Sequence, residues 1–257
     1  MRKGRAGKAE QRARTPPGIR VYAIGDIHGC ADLLEKAFAS IDNEIATCGA
    51  GRVIQVFLGD YVDRGPDTKR TLDLLIDRSR THETVFVRGN HEQLMVDFLD
   101  QPSVLSRWWS MGGAPTLLSY GLSPRSKWKP GEEFSLRDEL VAAMPESHQA
   151  FLASLQSAYS CGDFFFTHAG VQPGVALDRQ RVDDLMWIRD PFLNSQHDFG
   201  KVVVHGHTPV REPEVHHNRI NIDTGAYATG RLSILSIEDS QRSIHVVSRS
   251  GVTTSTA

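Results

Sequence analysis

Apolar positions in the first hundred residues follow two alternating rhythms. Three short runs are continuous or nearly so: Arg20-Val21-Tyr22-Ala23-Ile24, Val53-Ile54-Gln55-Val56-Phe57-Leu58 and Thr84-Val85-Phe86-Val87. Runs of this length, rich in β-branched and aromatic residues, predict buried strands. Between them the spacing becomes helical. Ala31 to about Thr47 carries Leu33, Leu34, Ala37, Phe38, Ile41 and Ile45, and Asp67 to about Arg80 puts Leu72, Leu75 and Ile76 on one face. A third helix is expected through Leu99. Strand–helix alternation predicts a largely parallel core with helices packed outside it. Each strand stops at glycine and polar residues: Gly25-Asp26, Gly59-Asp60 and Gly89-Asn90-His91. Ligands of open α/β sheets bind beyond the carboxyl ends of strands, so these endings are expected to meet at one edge.

The rhythm breaks over residues 102–157, which hold Trp108, Trp109 and Trp128 and helical stretches near 135–156. This reads as an inserted helical lobe with the tryptophans in its core. Strands resume at Phe164-Phe165-Phe166, Val202-Val203-Val204, Arg219 to Ile222, Leu232 to Ile237 and Ser243 to Val247, several spaced as hairpins. The expectation is one α/β domain over 19–250, with two packed mixed β-sheets flanked by helices.

Composition narrows the class. The chain has 257 residues, 40% of them hydrophobic and 23% charged. That is ordinary for a globular protein large enough to bury a full core without disulfides. No stretch approaches the roughly 18 consecutive apolar residues of a membrane span. The net charge of −2 hides an uneven spread: the first 20 residues carry seven basic side chains against Glu10 alone, leaving 22 basic and 30 acidic residues beyond them. An acidic body predicts no stable nucleic-acid surface. Residues 1–18, ending in Thr15-Pro16-Pro17-Gly18, read as a basic, disordered tail without the apolar region of a secretory signal. Cys30, Cys48 and Cys161 are odd in number and lack paired spacing. They read as free thiols in a reducing cytoplasm.

Chemistry concentrates in five clusters after predicted strands: Gly25-Asp26-Ile27-His28-Gly29, Gly59-Asp60-Tyr61-Val62-Asp63-Arg64-Gly65, Gly89-Asn90-His91-Glu92, Thr167-His168-Ala169-Gly170 and His205-Gly206-His207-Thr208. Any one alone is a weak signal. Together they would gather ionised aspartates and histidines at one edge, which is costly unless a cation compensates them. Mixed oxygen and imidazole ligands suit Mn, Fe, Zn or Co better than Ca. Asp26 and His28, two apart on an extended strand end, are expected to face the same side and grip one ion. Asp60 has two carboxylate oxygens and could bridge two ions. His205 should face away from His207 and reads as structural. Asp223 reads as a buried hydrogen-bonding anchor.

The combined pattern resembles the phosphoprotein phosphatase family of metallophosphoesterases, over roughly residues 20–237. The likeness is greatest to the compact bacterial and phage-type serine/threonine phosphatases. That resemblance implies a calcineurin-like metallophosphoesterase fold and two divalent ions, with manganese favoured. It implies that Asp26, His28 and Asp60 hold the first ion, and that Asp60, Asn90, His168 and His207 hold the second. A hydroxide bridging the ions would attack phosphorus directly, with no covalent phosphoenzyme. Arg64, Arg189 and Asn90 would hold the phosphate, His91 would protonate the leaving group, and Asp63 would orient His91. Arg189, in Leu185-Met186-Trp187-Ile188-Arg189-Asp190, matches the family block more loosely than the others.

The expected function is serine/threonine protein phosphatase, with a phosphorylated protein or peptide as partner. Glu92 in the Gly-Asn-His-x block and Tyr61-Val62 before Asp63 lean toward that reading. The alternative is a symmetrical dinucleoside-tetraphosphate hydrolase using the same metal site. A catalytically dead binding module is disfavoured because all six proposed ligands, His91 and both arginines are present.

Overall fold

A computed structural model describes residues 13–49, 51–123 and 128–257 of the chain. The elements follow the alternation: β1 (Ile19–Ile24), α1 (Ala31–Cys48), β2 (Arg52–Phe57), α2 (Thr68–Thr81), β3 (Thr84–Phe86) and α3 (Asn90–Asp100). The helical lobe comes next, as α4 (Leu105–Ser110), α5 (Ala114–Ser119), α6 (Glu132–Ala143) and α7 (Glu146–Ser154). The second half holds β4 (Ala158–Cys161), β5 (Phe164–Thr167), α8 (Val182–Trp187), α9 (Asp190–Leu193), β6 (Val202–His205), β7 (Glu214–Val215), β8 (Arg219–Asn221), α10 (Ala226–Thr229), β9 (Arg231–Glu238), β10 (Gln241–Ser248) and β11 (Gly251–Thr256).

Two mixed sheets form. The first runs β11-β10-β9-β1-β2-β3 and the second β4-β5-β6-β8-β7. β1, β2 and β3 pair in parallel, as do β5, β6 and β8. Side-chain alternation along each strand explains the layers. Val21 and Ala23 join Ile54, Val56, Phe164, Phe166, Val202 and Val204 in the core between the sheets. Tyr22, Ile24 and Phe57 point the other way, into the core shared with α1, α2, α3 and the lobe. Phe165 and Val203 face outward under Phe192, Leu185 and Ile188. Strands buried on both faces read as nearly continuous apolar runs, which is why they stand out in the sequence.

Three expectations change. Residues 13–18 are not a loose tail: Thr15 is buried, donates its N–H to the Asp239 carbonyl and accepts the Asp239 N–H on Oγ1, while Arg14 N–H reaches Asp163. Residues 1–12, and with them most of the basic segment, lie outside the described residues. The boundary expected at 250 falls short of β11, which pairs antiparallel with β10 from Gly251 to Thr256. The tryptophans of the lobe divide: Trp108 is fully buried, whereas Trp109 and Trp128 are half-buried.

Candidate active site

All five strand-end clusters meet at one edge. The loop after β1 is tied to the loop after β2: the N–H groups of Ile27 and His28 donate to the Asp60 carbonyl at 3.1 and 2.8 Å, and Gly29 N–H donates to the Tyr61 carbonyl at 2.8 Å. The expected extended geometry of Asp26-x-His28 does not occur. β1 ends at Ile24, and His28 is left-handed with φ 47°. Both side chains reach the site because the chain turns there. Left-handed backbone recurs at Asp60, Asp63, Arg64 and His207, so five of the six non-glycine residues with positive φ among the described residues belong to this site. Asp239 is the sixth.

Asp60 lies at the centre and is buried. Its Oδ2 is 3.4 Å from His28 Nε2, and its Oδ1 is 3.4 Å from His168 Nε2. The two oxygens thus face two different groups, His28–Asp60–His91 and Asp60–His168–His207, each with its ligand atoms within 4.8 Å of one another. Asn90 Oδ1 completes the second group, 3.0 Å from His168 Nε2 and 2.9 Å from His207 Nδ1. Asp26 is 3% exposed and accepts the His207 N–H on both oxygens, at 3.3 and 3.1 Å. Gly206 is needed for that approach, because a Cβ there would collide with Asp26 Oδ1.

Donor and acceptor assignments test whether metal ions fit. His28 donates from Nδ1 to the Val62 carbonyl at 2.8 Å, and His168 from Nδ1 to the Leu58 carbonyl at 2.9 Å. Each neutral ring then turns an Nε2 lone pair into the site. His168 Nε2 faces the Asn90 and Asp60 oxygens, so three acceptors crowd together with no proton among them. Burial lowers the His28 imidazole to about 3 and the His207 imidazole to about 2, and lowers His168 too. Burial, then the neighbouring Asp223 and Asp60 charges, raises the Asp26 carboxyl, and burial raises Asp223 to about 6. Burial would raise Asp60 as well, but the rings of His168, His91, His28 and His207 reverse the sign and lower it. Neutral imidazoles around compressed buried carboxylates are the donor set a divalent cation would satisfy. The residues present fit metal ions.

His91 sits beside this cluster. Its Nδ1 is 2.8 Å from Asp63 Oδ2, and its Nε2 has no hydrogen-bond partner and lies 3.9 Å from Asp60 Oδ2. Burial lowers the His91 pKa, but the Asp60 charge and the bonded Asp63 outweigh it and raise it. Asp63 does not cap the next helix; Asp67 does, accepting the Arg70 N–H at 3.2 Å. Two arginines border the site. Arg64 Nη1 is 3.1 Å from His28 Nε2, and its guanidinium lies 5.1 Å from the ring centre of Tyr227, which is 42% exposed at the rim. Arg189 Nη2 donates to the His207 carbonyl at 3.4 Å. Beside His207, Trp187 borders a cavity of about 500 Å³ that Gln93, Asp97, Arg107 and Met186 also line.

Other sequence readings resolve simply. His205 points away from the site onto Phe192, ring centres 4.9 Å apart, and burial lowers it to about 3. Asp223 is buried and accepts the Gly225 N–H at 2.9 Å. Cys30 is buried with its Sγ 3.5 Å from the His28 carbonyl, and burial pushes the thiol up to about 11. Cys161 is also free and buried; the Cys48 side chain lies outside what is described. Among the described residues no helix is long and apolar enough to cross a membrane.

Two contributions were not legible as site residues. Glu92 is fully buried and accepts four backbone N–H groups: Gly89 and Asp60 on Oε2, both at 2.9 Å, and Tyr61 at 2.6 Å and Val62 at 3.1 Å on Oε1. It caps α3 and holds the loop that aims Asp60. Burial, then the Asp60 charge, pushes its carboxyl up to about 7, against the four donors, which favour the ionised form. The signal was the capping pattern itself, with Glu92 three residues after Gly89 at the helix start. The lobe residues Trp108 and Thr116, both bonded to Asp63, had no such signal.

The family described as calcineurin-like phosphoesterase matches residues 19–234. An asymmetrical bis(5'-nucleosyl)-tetraphosphatase PrpE from Anoxybacillus flavithermus is 27% identical over 233 residues, spanning 82% of this chain and 88% of that protein. Serine/threonine-protein phosphatase 1 of Salmonella typhimurium is 26% identical over 238 residues, spanning 89% and 96%. Among solved structures, one described as a putative diadenosine tetraphosphatase superposes with a TM-score of 0.60 at 20% identity, covering 96% of this chain and 98% of that one.

Proposed function

The chain belongs to the calcineurin-like phosphoesterase family, and from that premise we propose that it is a metal-dependent phosphomonoesterase acting on phosphoserine and phosphothreonine in proteins or peptides. Asp26, His28 and Asp60 would hold one divalent ion, and Asp60, Asn90, His168 and His207 would hold the other, with Asp60 shared. When bound, such a pair lowers the pKa of water at the site and offsets the charge on the phosphoryl oxygens. Manganese suits the mixed carboxylate, amide and imidazole set, as do Fe, Zn and Co.

The chain's own groups supply the rest. Arg64 and Arg189 approach from two sides and grip phosphate oxygens as charge-assisted donors. His91 gives its Nε2 proton to the departing oxygen as general acid. Asp63 accepts from Nδ1, and its charge together with that of Asp60 favours the doubly protonated imidazolium, so that Nε2 carries the proton that is given up.

One observation carries the choice of a phosphomonoester: the buried His91–Asp63 pair with its free Nε2. Serine and threonine leave as alkoxides, which are strongly basic and need a proton in the transition state. A phosphoanhydride leaves as a stable phosphate anion and gains little from an acid. The second reading, hydrolysis of dinucleoside tetraphosphates, is favoured by the name of the PrpE relatives. That name specifies the asymmetrical kind, whereas the alternative drawn from the sequence is the symmetrical kind.

The experiment is a paired assay on metal-stripped protein with Mn²⁺ restored, with Asp60→Asn as control. One arm offers a phosphoserine/phosphothreonine peptide and the other diadenosine tetraphosphate. Mn-dependent release of phosphate from the peptide, absent in the control, is expected. Activity confined to the dinucleotide would replace the substrate class.

A further inference from the structure

Asp63 is held by more than His91. Its carboxylate is fully buried, and two residues of the helical lobe bond to it. Trp108 Nε1 lies 2.9 Å from Oδ2 and 3.1 Å from Oδ1. Thr116 Oγ1 lies 2.7 Å from Oδ1. We infer that Trp108 and Thr116 are positioning residues of the reaction, which fix the Asp63 carboxylate so that His91 presents Nε2 to the leaving oxygen. The inference rests on the reading of His91 as proton donor.

Donor bookkeeping fixes the direction of each bond. Indole N–H can only donate. Thr116 Oγ1 accepts the Asp63 N–H at 3.0 Å, and Thr68 Oγ1 lies 2.9 Å away. Thr116 therefore accepts from Thr68 and spends its single proton on Asp63 Oδ1. Every side-chain partner of the carboxylate is then a donor. Asp63 offers His91 only lone pairs, so Nδ1 must carry the hydrogen. Rotating the carboxylate would leave two buried donors unpaired, which is costly. The pair is rigid because the lobe makes it so.

The same stretch supports the neighbouring arginine. Between α4 and α5, the Gly112 carbonyl accepts the Arg64 N–H at 2.9 Å, and the Met111 carbonyl lies 3.5 Å from Arg64 Nε. Gly112 has φ 104°, and a Cβ there would sit 2.9 Å from Arg64 Cγ. A purely structural role for Trp108 would need only its ring, which stacks on Phe98 at 4.9 Å. A phenyl ring could fill that stack; only the indole N–H reaches Asp63.

The test compares Trp108→Phe, Thr116→Val, Thr116→Ser and His91→Asn in the Mn-loaded full chain, using 4-nitrophenyl phosphate and phenyl phosphate. The first has a good leaving group and the second a poor one. Trp108→Phe and Thr116→Val should each lower kcat for phenyl phosphate roughly tenfold or more, and for 4-nitrophenyl phosphate by less than about threefold, with KM and Mn content unchanged. Thr116→Ser, which keeps the hydroxyl, should restore the parent ratio. In metal-free protein, the downfield ring-proton NMR signal that His91→Asn removes should move in the first two variants and stay in Thr116→Ser. Equal slowing on both substrates, or an unmoved ring-proton signal, would reduce Trp108 and Thr116 to packing. If His91→Asn itself slows both substrates equally, the proton-donor reading falls and takes this inference with it. If His91→Asn discriminates and the lobe variants do not, only the inference falls.

Discussion

Replacing Glu92 by Gln tests what holds the metal loop in place. The substitution preserves size and shape. It converts one carboxylate oxygen into an NH₂ group, so two of the four backbone N–H groups on Glu92 would face a donor. The affected pair is either Gly89 and Asp60 or Tyr61 and Val62. A hydrogen bond to a charged group contributes about 1.5–3 kcal/mol. Two such losses in a buried loop come to about 3–6 kcal/mol. That is a large part of the roughly 5–15 kcal/mol that keeps a domain folded. Urea unfolding of metal-free protein should therefore show a lower midpoint at unchanged slope. Mn²⁺ affinity, measured by calorimetry, should fall with it, because the loop aims Asp60. A variant within about 1 kcal/mol of the parent, with Mn²⁺ binding intact, would refute the argument. It would mean that Glu92 already carries a proton in the native state and that the loop does not depend on an anion.

Asp60→Asn should cost both ions, since each carboxylate oxygen faces a different group of ligands; metal analysis should show both depleted and turnover down by roughly a thousandfold or more. Gly206→Ala pushes a methyl group into Asp26 Oδ1, and Mn²⁺ titration should show affinity weakened roughly 10–100-fold. Adding Mn²⁺ at about 100 times its Kd should stabilise the folded protein by about 2.7 kcal/mol per site. A melting curve should register the rise in the parent and not in Asp60→Asn.

The sequence exposed those parts of the fold whose burial is uniform along a short segment. β1, β2, β5 and β6 are flanked on both faces and appear as apolar runs that are continuous or broken by a single polar residue, as by Gln55 in β2. β4, β7 and β11 do not. Ala158–Cys161 carries Tyr159 and Ser160 at a sheet edge, Glu214–Val215 is only two residues long, and Val252 to Thr256 is exposed throughout. Only pairing with β10 makes the last of these a strand. The site divides in the same way. Asp26, His28, Asp60, Asn90, His168 and His207 each follow a strand, so a single rule makes all six candidates and predicts that they meet at one edge. Trp108 and Thr116 lie 45 and 53 positions from Asp63. Their indole N–H and hydroxyl become meaningful only once the lobe folds back over the β2 loop. In the sequence Glu92 bears on substrate class through the Gly-Asn-His-x block, whereas in the fold its oxygens are committed to the backbone.

The left-handed backbone at His28, Asp60, Asp63, Arg64 and His207 bears on any attempt to make this protein hardier. Each such residue holds a conformation that costs of order 1–3 kcal/mol and persists because its surroundings enforce it. Glycine would adopt the same turn without strain at any of these positions. A search that scores variants by heat resistance alone will therefore drift toward glycine there, and will return well-folded proteins that have lost the carboxylate, imidazole and guanidinium groups gathered at the site. Thermal improvement of this scaffold should be sought on the exposed faces of α1, α2 and α6, with these five positions held fixed and bound metal used as the selection criterion.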